Sequence, residues 1–267
     1  METGKANKFI SKYFNSDRSQ EYHLAIQIGL NYVTYFIITA ESEVAYYKNY
    51  ILNNNLTEFI NTEKILQLKF AKVSISFCDF PCTLIPTELF IKEKAKEILK
   101  LDCKVHDIIK SDNILSIKAT LIYTIPKEID NLVNTIFTNA AQKSQQSIIL
   151  DKYNSFDNSN EHAYLNLSND RLDITLFKNN KLIFNNSFDF VTKEDILYYT
   201  LFTFEQLKIN NEKVLTSLYG EIKKGDKYHQ LLYEYIRNIK FGSNSCKIKL
   251  PAEFQLIKEH QMHGLYF

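Results

Sequence analysis

Two stretches decide the fold: LAIQIGLNYVTYFII, Leu24 to Ile38, and AYLNLSNDRLDITLF, Ala163 to Phe177. In the first, Leu24, Ile26 and Ile28 alternate with Ala25, Gln27 and Gly29, the period-two pattern of a strand. Gly29-Leu30-Asn31 supplies turn chemistry, and Val33, Tyr35 and Ile37 resume the alternation. The second stretch repeats this layout around Ser168, Asn169 and Asp170. Each reads as a tight hairpin at the start of a longer pattern.

Working outward from the first hairpin, Val44 to Tyr50 reads as a third strand after a turn at Glu41-Ser42. A helix follows over Leu56 to Leu68, then a strand over Lys72 to Phe77. Thr87 is placed to cap a helix carrying Leu89, Ala95, Ile98 and Leu99. Ile114 to Ile125 is one long β-branched run. Pro126 suits a first helical turn, and Ile129, Leu132, Val133, Ile136, Phe137 and Ala140 form the apolar stripe of the next helix. After the second hairpin comes a strand over Leu182 to Phe188. Thr192 and Asp195 form a capping box, opening a helix with Ile196, Leu197, Thr200, Leu201, Phe204 and Leu207 on one face. Lys213 to Tyr219 is the next strand, Asp226 caps a further helix, and a last helix is expected from about Ala252. Phe254, Ile257 and the terminal Leu265-Tyr266-Phe267 are expected to pack on the second half.

The same succession, strand–turn–strand–strand–helix–strand, therefore occurs twice. One constant offset places His23 on His162, Ile28 on Leu167, Gly29 on Ser168 and Asn31 on Asp170. A second offset, two residues longer, places Lys72-Val73 on Lys213-Val214 and Ser76 on Ser217. The organisation read from this is a polar N-terminal arm over 1–21, a first domain over 22–150, a polar linker over 151–160 (DKYNSFDNSN) and a second domain over 161–267.

Bulk composition narrows the functional classes. The chain has 267 residues, 45% hydrophobic, with 32 Lys+Arg against 31 Asp+Glu and a net charge of +1. This gives no electrostatic support for nucleic acid as a partner, nor for an anionic membrane surface. No apolar run reaches the ~18 residues of a spanning helix, so membrane insertion is not expected. No signal peptide is legible at the N-terminus, and Cys78, Cys82, Cys103 and Cys246 match no zinc spacing. Reduced thiols and a cytoplasmic location are expected. No Gly-x-Gly-x-x-Gly, Walker or Gly-x-Ser-x-Gly motif occurs, which removes support for dinucleotide, P-loop and α/β-hydrolase enzymes.

The duplicated pattern resembles the actin-like ATPase fold: two RNase H-like domains, each with a three-strand antiparallel meander plus parallel strands in a mixed sheet flanked by helices. The sequence also resembles an uncharacterised bacterial domain-of-unknown-function family with this fold. The resemblance runs through TLIPTELF (Thr83 to Phe90), ATLIYTIPKEIDNLV (Ala119 to Val133), KEDILYYTLFTFEQL (Lys193 to Leu207) and KLPAEFQLI (Lys249 to Ile257). It covers roughly Tyr22 to Ile257. In the superfamily, resemblance implies a nucleotide cleft whose first hairpin turns carry Asp-x-Gly, the carboxylate organising magnesium and the glycine admitting phosphate.

At those positions the sequence reads Gln27-Ile28-Gly29 and Asn166-Leu167-Ser168. A neutral amide neither neutralises magnesium nor takes a proton from water near pH 7. Asp170 is the nearest substitute carboxylate, though a turn role is the simpler reading. The superfamily's adenosine Gly-Gly is reduced to Gly220-Glu221. The degenerate cleft is thus Gln27, Gly29, Asn31, Asn166, Ser168, Asp170 and Gly220. No catalytic residue, metal site or cofactor is expected; ATP and magnesium enter only under the alternative, an ATPase or kinase with a diverged phosphate site. A nuclease reading lacks the carboxylate cluster it needs on the first strand.

Other constellations carry less. His260-x-x-His263 has one-turn spacing but no ligand set around it, and His23 and His162, each just before a strand, read as exposed or edge residues. Cys78 and Cys82 read as small core residues. Of the 17 Tyr and 19 Phe, Tyr46, Tyr47, Tyr50, Tyr198 and Tyr199 are candidates for an exposed protein interface, with core packing as the bland alternative. The expected function is a catalytically inactive actin-like binding or scaffold module whose partner is another protein.

Overall fold

The computed structural model describes residues 6–52, 56–168, 170–243, 248–254, 258–262 and 264. The chain divides into two compact units. The first contains Met1–Ile148 and the C-terminal pieces Cys246–Leu256 and Gly264–Phe267; the second contains Ile149–Ser245 and Ile257–His263.

The first unit holds β1 (Ala6–Ile10), β2 (His23–Ile28), β3 (Tyr32–Ile38), β4 (Val44–Ile51), α1 (Leu56–Thr62), β5 (Lys72–Phe77), β6 (Cys82–Pro86), α2 (Ala95–Asp102), β7 (Ile108–Ile114), β8 (Ala119–Ile125), α3 (Lys127–Ile136) and β9 (Ala141–Ser144). Its main sheet has the order β1-β4-β3-β2-β5-β9, and β6-β8-β7 form a second sheet. β2, β3 and β4 are the antiparallel meander; β5 and β9 join in parallel. The central strands bury both faces, which is why β2 and β3 are apolar at nearly every position. α2 lays Ala95 and Leu99 on Ile85 and Ile122 of the small sheet.

The division between units falls within α4 (Gln145–Asn154). The second unit continues with β10 (His162–Ser168), β11 (Arg171–Lys178), β12 (Lys181–Asp189), α5 (Lys193–Gln206), β13 (Leu215–Gly220), α6 (Lys227–Tyr235) and β14 (Asn238–Phe241). Its sheet order is β12-β11-β10-β13-β14, again an antiparallel meander followed by two parallel strands. Leu165, Leu167, Ile174, Leu176 and Leu218 form its core with Ile196 and Phe204 of α5 and Leu232 of α6. Thr192 and Asp195 make the capping box at the start of α5, and Asp226 accepts from the Tyr228 and His229 amides at the start of α6.

Several local expectations change. The polar N-terminal stretch is not an arm: β1 pairs antiparallel with β4, setting Phe9 beside Tyr47. The run Ile114 to Ile125 breaks at a left-handed Lys118 (φ 52), forming the β7–β8 hairpin. The helix begun at Leu56 ends at Thr62 and gives way to a 3-10 turn. Thr87 is not a side-chain cap; it begins a 3-10 turn, its amide donating to the Lys118 carbonyl at 3.0 Å. Within 151–160, α4 runs to Asn154 and Asn158 is buried, its side-chain amide donating to the Tyr153 carbonyl at 2.8 Å. In place of a helix at Ala252 there is a turn, and Phe254 packs edge-on against Phe9 and Tyr47 of the first unit. Ile257 and residues 265–267 lie outside the described residues.

The repeat is in register at the hairpins but not at the parallel strands. His23 lies level with Lys72, and His162 with Leu215. Ser74, not Ser76, therefore occupies the place of Ser217. A slip of two residues keeps every side chain on its face, so the apolar alternation alone does not detect it.

Candidate functional site

The candidate site is the pair of hairpin turns, and each has a distinct geometry. In the first unit, Gly29 closes the β2–β3 turn by donating its amide to the Tyr32 carbonyl at 3.0 Å. A Cβ built at Gly29 would come within 2.3 Å of the Tyr32 ring. The ring therefore lies against the side of the glycine where a side chain would project. Burial raises the Tyr32 phenol well above its ordinary pKa, with Cys78 and Asp79 adding to the effect, so the ring caps the turn as a neutral group. Gln27 is buried opposite Thr34. Asn31 is exposed, and its carbonyl accepts from the Leu52 amide at 2.7 Å. Beside the turn lies a cavity of about 270 Å³ lined chiefly by Leu30, Leu52, Leu56, Ile129 and Leu132, with Glu128 at its side. Leucine side chains and a carboxylate do not attract phosphate.

In the second unit the turn between Ser168 and Arg171 sets Asn166 opposite Asp173. The Asn166 amide donates to Asp173 Oδ2 at 3.1 Å. Asp173 Oδ1 accepts from Ser187 Oγ at 2.6 Å and from Arg171 Nε at 3.2 Å. Asp173 is 7% exposed and Asn166 6%. A buried carboxylate is thus present, but both oxygens are engaged and its charge is balanced by Arg171. Asp170 is exposed, and its carbonyl accepts from the Phe190 amide at 2.7 Å, which is a turn role. Gly220 takes φ +78, and a Cβ there would sit 2.0 Å from the Leu167 carbonyl oxygen. It lets β13 end against β10, with the Glu221 amide donating to Leu167 O at 2.7 Å.

Asp173 was legible in principle. A two-residue turn after Ser168 fixes the pairing of Asn166 with Asp173 by register alone. Tyr32 was not, because only the tertiary structure shows that its ring folds back over Gly29.

Magnesium–ATP, which the fold implies, does not fit these residues. Both Asp-x-Gly carboxylates are amides, the Tyr32 ring lies against the first turn's glycine, and the carboxylate beside Asn166 in the second unit, Asp173, is already paired.

Both units share a histidine that is drawn in from the surface, half-buried at His23 and buried at His162. His23 Nε2 and Ser74 Oγ are 2.8 Å apart, and His162 Nε2 and Ser217 Oγ are also 2.8 Å apart. His162 is buried and stacks on Tyr164, whose hydroxyl lies 2.9 Å from His162 Nδ1 and donates to Asn158 Oδ1 at 2.7 Å. Desolvation pushes both imidazoles down to about 4 from the ordinary 6.5, aided by Lys72 at His23 and by Lys240 at His162. Below pH 6.5 the unfolded chain takes up protons that the folded chain refuses, so stability is full above 6.5 and declines as pH falls towards 4. Thermal unfolding between pH 7.5 and 4.5 is expected to show this fall, and His162→Gln should flatten it. An unchanged slope in that variant would mean that His162 does not contribute to the pH dependence.

The aromatic candidates separate. Tyr46 and Tyr47 are buried, which corrects their reading as an exposed patch: β1 covers β4, Tyr46 stacks on Tyr35 at 5.5 Å, and Tyr47 packs on Phe36 and Phe254. Tyr50 is half-buried and stacks on Phe59 at 4.5 Å. Tyr199 is half-buried against Phe188 at 4.6 Å. Tyr198 stays 60% exposed and stacks on Phe202, itself 45% exposed. His260 Nε2 donates to the Ile222 carbonyl at 2.7 Å; His263 lies outside the described residues. Among the described residues no group of three His, Cys, Asp or Glu is placed to hold a metal, and no helix is long and apolar enough to cross a membrane.

Two mixed sheets, each a meander with added parallel strands and helices, define an actin-like protein. The chain belongs to the family described as protein of unknown function (DUF3822), which matches residues 11–239. A solved Bacteroides thetaiotaomicron protein with actin-like ATPase fold and unknown function is similar at TM-score 0.75 and 20% identity, over 85% of this chain and 92% of that one. The PilM–PilN type IV pilus biogenesis complex contains a chain similar at TM-score 0.60 and 8% identity, over 91% of this chain and 97% of that one. No curated protein sequence matches. These likenesses establish the fold, not an activity.

Proposed function

We propose that this chain is a pseudo-ATPase: an actin-like protein, arisen by internal duplication, that works as a binding or scaffold module for another protein. The observation that carries the reading is that the buried amides of Gln27 and Asn166 stand where the fold's carboxylates would be, with the Tyr32 ring packed against Gly29. The paired state of Asp173 supports it from the second unit. The matching His–Ser pairs and equivalent sheet orders favour duplication. The fold's occurrence in a pilus biogenesis complex agrees with work done through protein contacts. We assign the contact surface to the exposed Tyr198–Phe202 pair on α5, since large rings left in water gain most from burial.

The test is to add ATP and magnesium to the purified protein. The expected result is no phosphate release above background and no rise in the thermal midpoint, because a ligand that does not bind the folded state does not stabilise it. A rise without turnover would point to the diverged nucleotide-binding alternative. Magnesium-dependent release, lost on Asp173→Asn, would overturn the proposal.

A further inference from the structure

The second unit holds two adjoining cavities, of about 460 Å³ and about 280 Å³, and every residue lining them belongs to Ile149–Ser245. Asp157, His162 and Leu215 wall both. They lie at the start of β10, the opposite end of that strand from the Ser168 turn. In β13, Leu215 and Ser217 line them, whereas Leu218 packs in the core with α5 and α6. The cavities therefore open on the sheet face away from those helices. Their size, near the lower end of the ~300–1,000 Å³ typical of ligand pockets, suits a small metabolite.

The charges on these walls can be counted. Asp157, Glu161, Lys178 and Lys213 line the larger cavity, and Lys240 the smaller. Glu161 and Lys178 neutralise each other at 2.7 Å. His162 is uncharged near neutral pH, and its ring is engaged on both sides. The Asn158 side-chain amide donates to the Tyr153 and Phe156 carbonyls, so Asn158 Oδ1 accepts from the Tyr164 hydroxyl. That hydroxyl then accepts from His162 Nδ1–H, which leaves Nε2 to accept from Ser217. Two ammonium groups, Lys213 and Lys240, and one carboxylate, Asp157, remain. Among the described residues none of the three forms an ion pair. Asp157 accepts from the Ser159 amide at 3.0 Å, which holds its carboxyl below the usual range and keeps it ionised. Besides burial, the Lys240 charge lowers the His162 pKa, so its field reaches the cavity wall.

We propose that these cavities bind an acidic α-amino acid, glutamate or aspartate. Its two carboxylates meet Lys213 and Lys240, its ammonium meets Asp157, and its methylene carbons lie over Leu215. Three unpaired charges on the wall then face three opposite charges on the ligand, with none left over on either. A neutral or purely anionic molecule of the same size leaves at least one of them unmatched. Lys213, Lys240 and Asp157 are exposed, so water screens each contact and the dissociation constant is of order 1 mM. The assignment does not depend on what the hairpin turns bind.

Isothermal titration calorimetry of the full chain with L-glutamate and L-aspartate tests it. Glutarate lacks the ammonium and L-glutamine the second carboxylate, and each should bind about fivefold more weakly than L-glutamate. Lys213→Gln and Lys240→Gln should each weaken L-glutamate about fivefold. Asp157→Asn keeps an oxygen for the Ser159 amide and removes the charge. It should cancel the preference, so that glutarate binds as well as L-glutamate. Circular dichroism of each variant should match wild type, since all three side chains are exposed. No binding of either amino acid at about 20 mM overturns the proposal. Equal affinity for L-glutamine, binding unchanged by both lysine substitutions, or an undiminished preference in Asp157→Asn also overturns it.

Discussion

Gly220→Ala is expected to destabilise the second unit by about 3 kcal/mol, while Gly225→Ala costs about 1 kcal/mol. Both glycines have positive φ, +78 and +82, so both substitutions pay the same conformational strain. They differ in surroundings. A methyl at Gly225 meets nothing within 4 Å, whereas one at Gly220 meets the Leu167 carbonyl oxygen at 2.0 Å and Asn166 Oδ1 at 2.8 Å. That carbonyl belongs to β10 and is held in the ladder and by the Glu221 amide, so it has no easy direction in which to yield. Urea unfolding followed by far-ultraviolet circular dichroism separates the two. Equal losses would mean that only the backbone dihedral matters and that the close approach of β13 to β10 is not a constraint.

Asp173→Ala is expected to cost about 3 kcal/mol, because it strands three donors around one buried acceptor. The Asn166 amide and the Ser187 hydroxyl lose their partner, and the Arg171 guanidinium, whose side chain is 22% exposed, loses its counter-charge. Asp173→Asn keeps the shape and one accepting oxygen, and should lose about half as much. The order of the two variants in the same unfolding measurement is the informative readout. If both match wild type, the hydrogen bonds around Asp173 contribute nothing net, and a carboxylate free for another use becomes the better description.

The difference between these two turns shows where sequence reasoning reaches. Gln27 and Asn166 stand where the fold's carboxylates would be, and that substitution needs no coordinates. Asp173 follows from hairpin register once Ser168 and Arg171 are paired. Tyr32 over Gly29 does not follow, because a side chain three residues from a glycine has many rotamers and only the surrounding packing selects one. The histidines are similar. Their coincidence in the repeat is visible in the sequence, but a position just before a strand is ordinarily wet, and the tertiary structure alone shows Ser74 beside the half-buried His23 and Ser217 beside the buried His162.

From its sequence alone the chain is two meanders followed by helices and parallel strands, with caps at Thr192 and Asp226. These are set by alternation and by side-chain-to-backbone hydrogen bonds within a few residues. Tertiary structure decided the register of β5 and β13, the separate β6-β8-β7 sheet, and the burial of Tyr46 and Tyr47 under β1 and Phe254. Each of these depends on what lies across a strand from segments distant in the chain. A period of two tells which face a residue shares, and it carries no information about what covers that face.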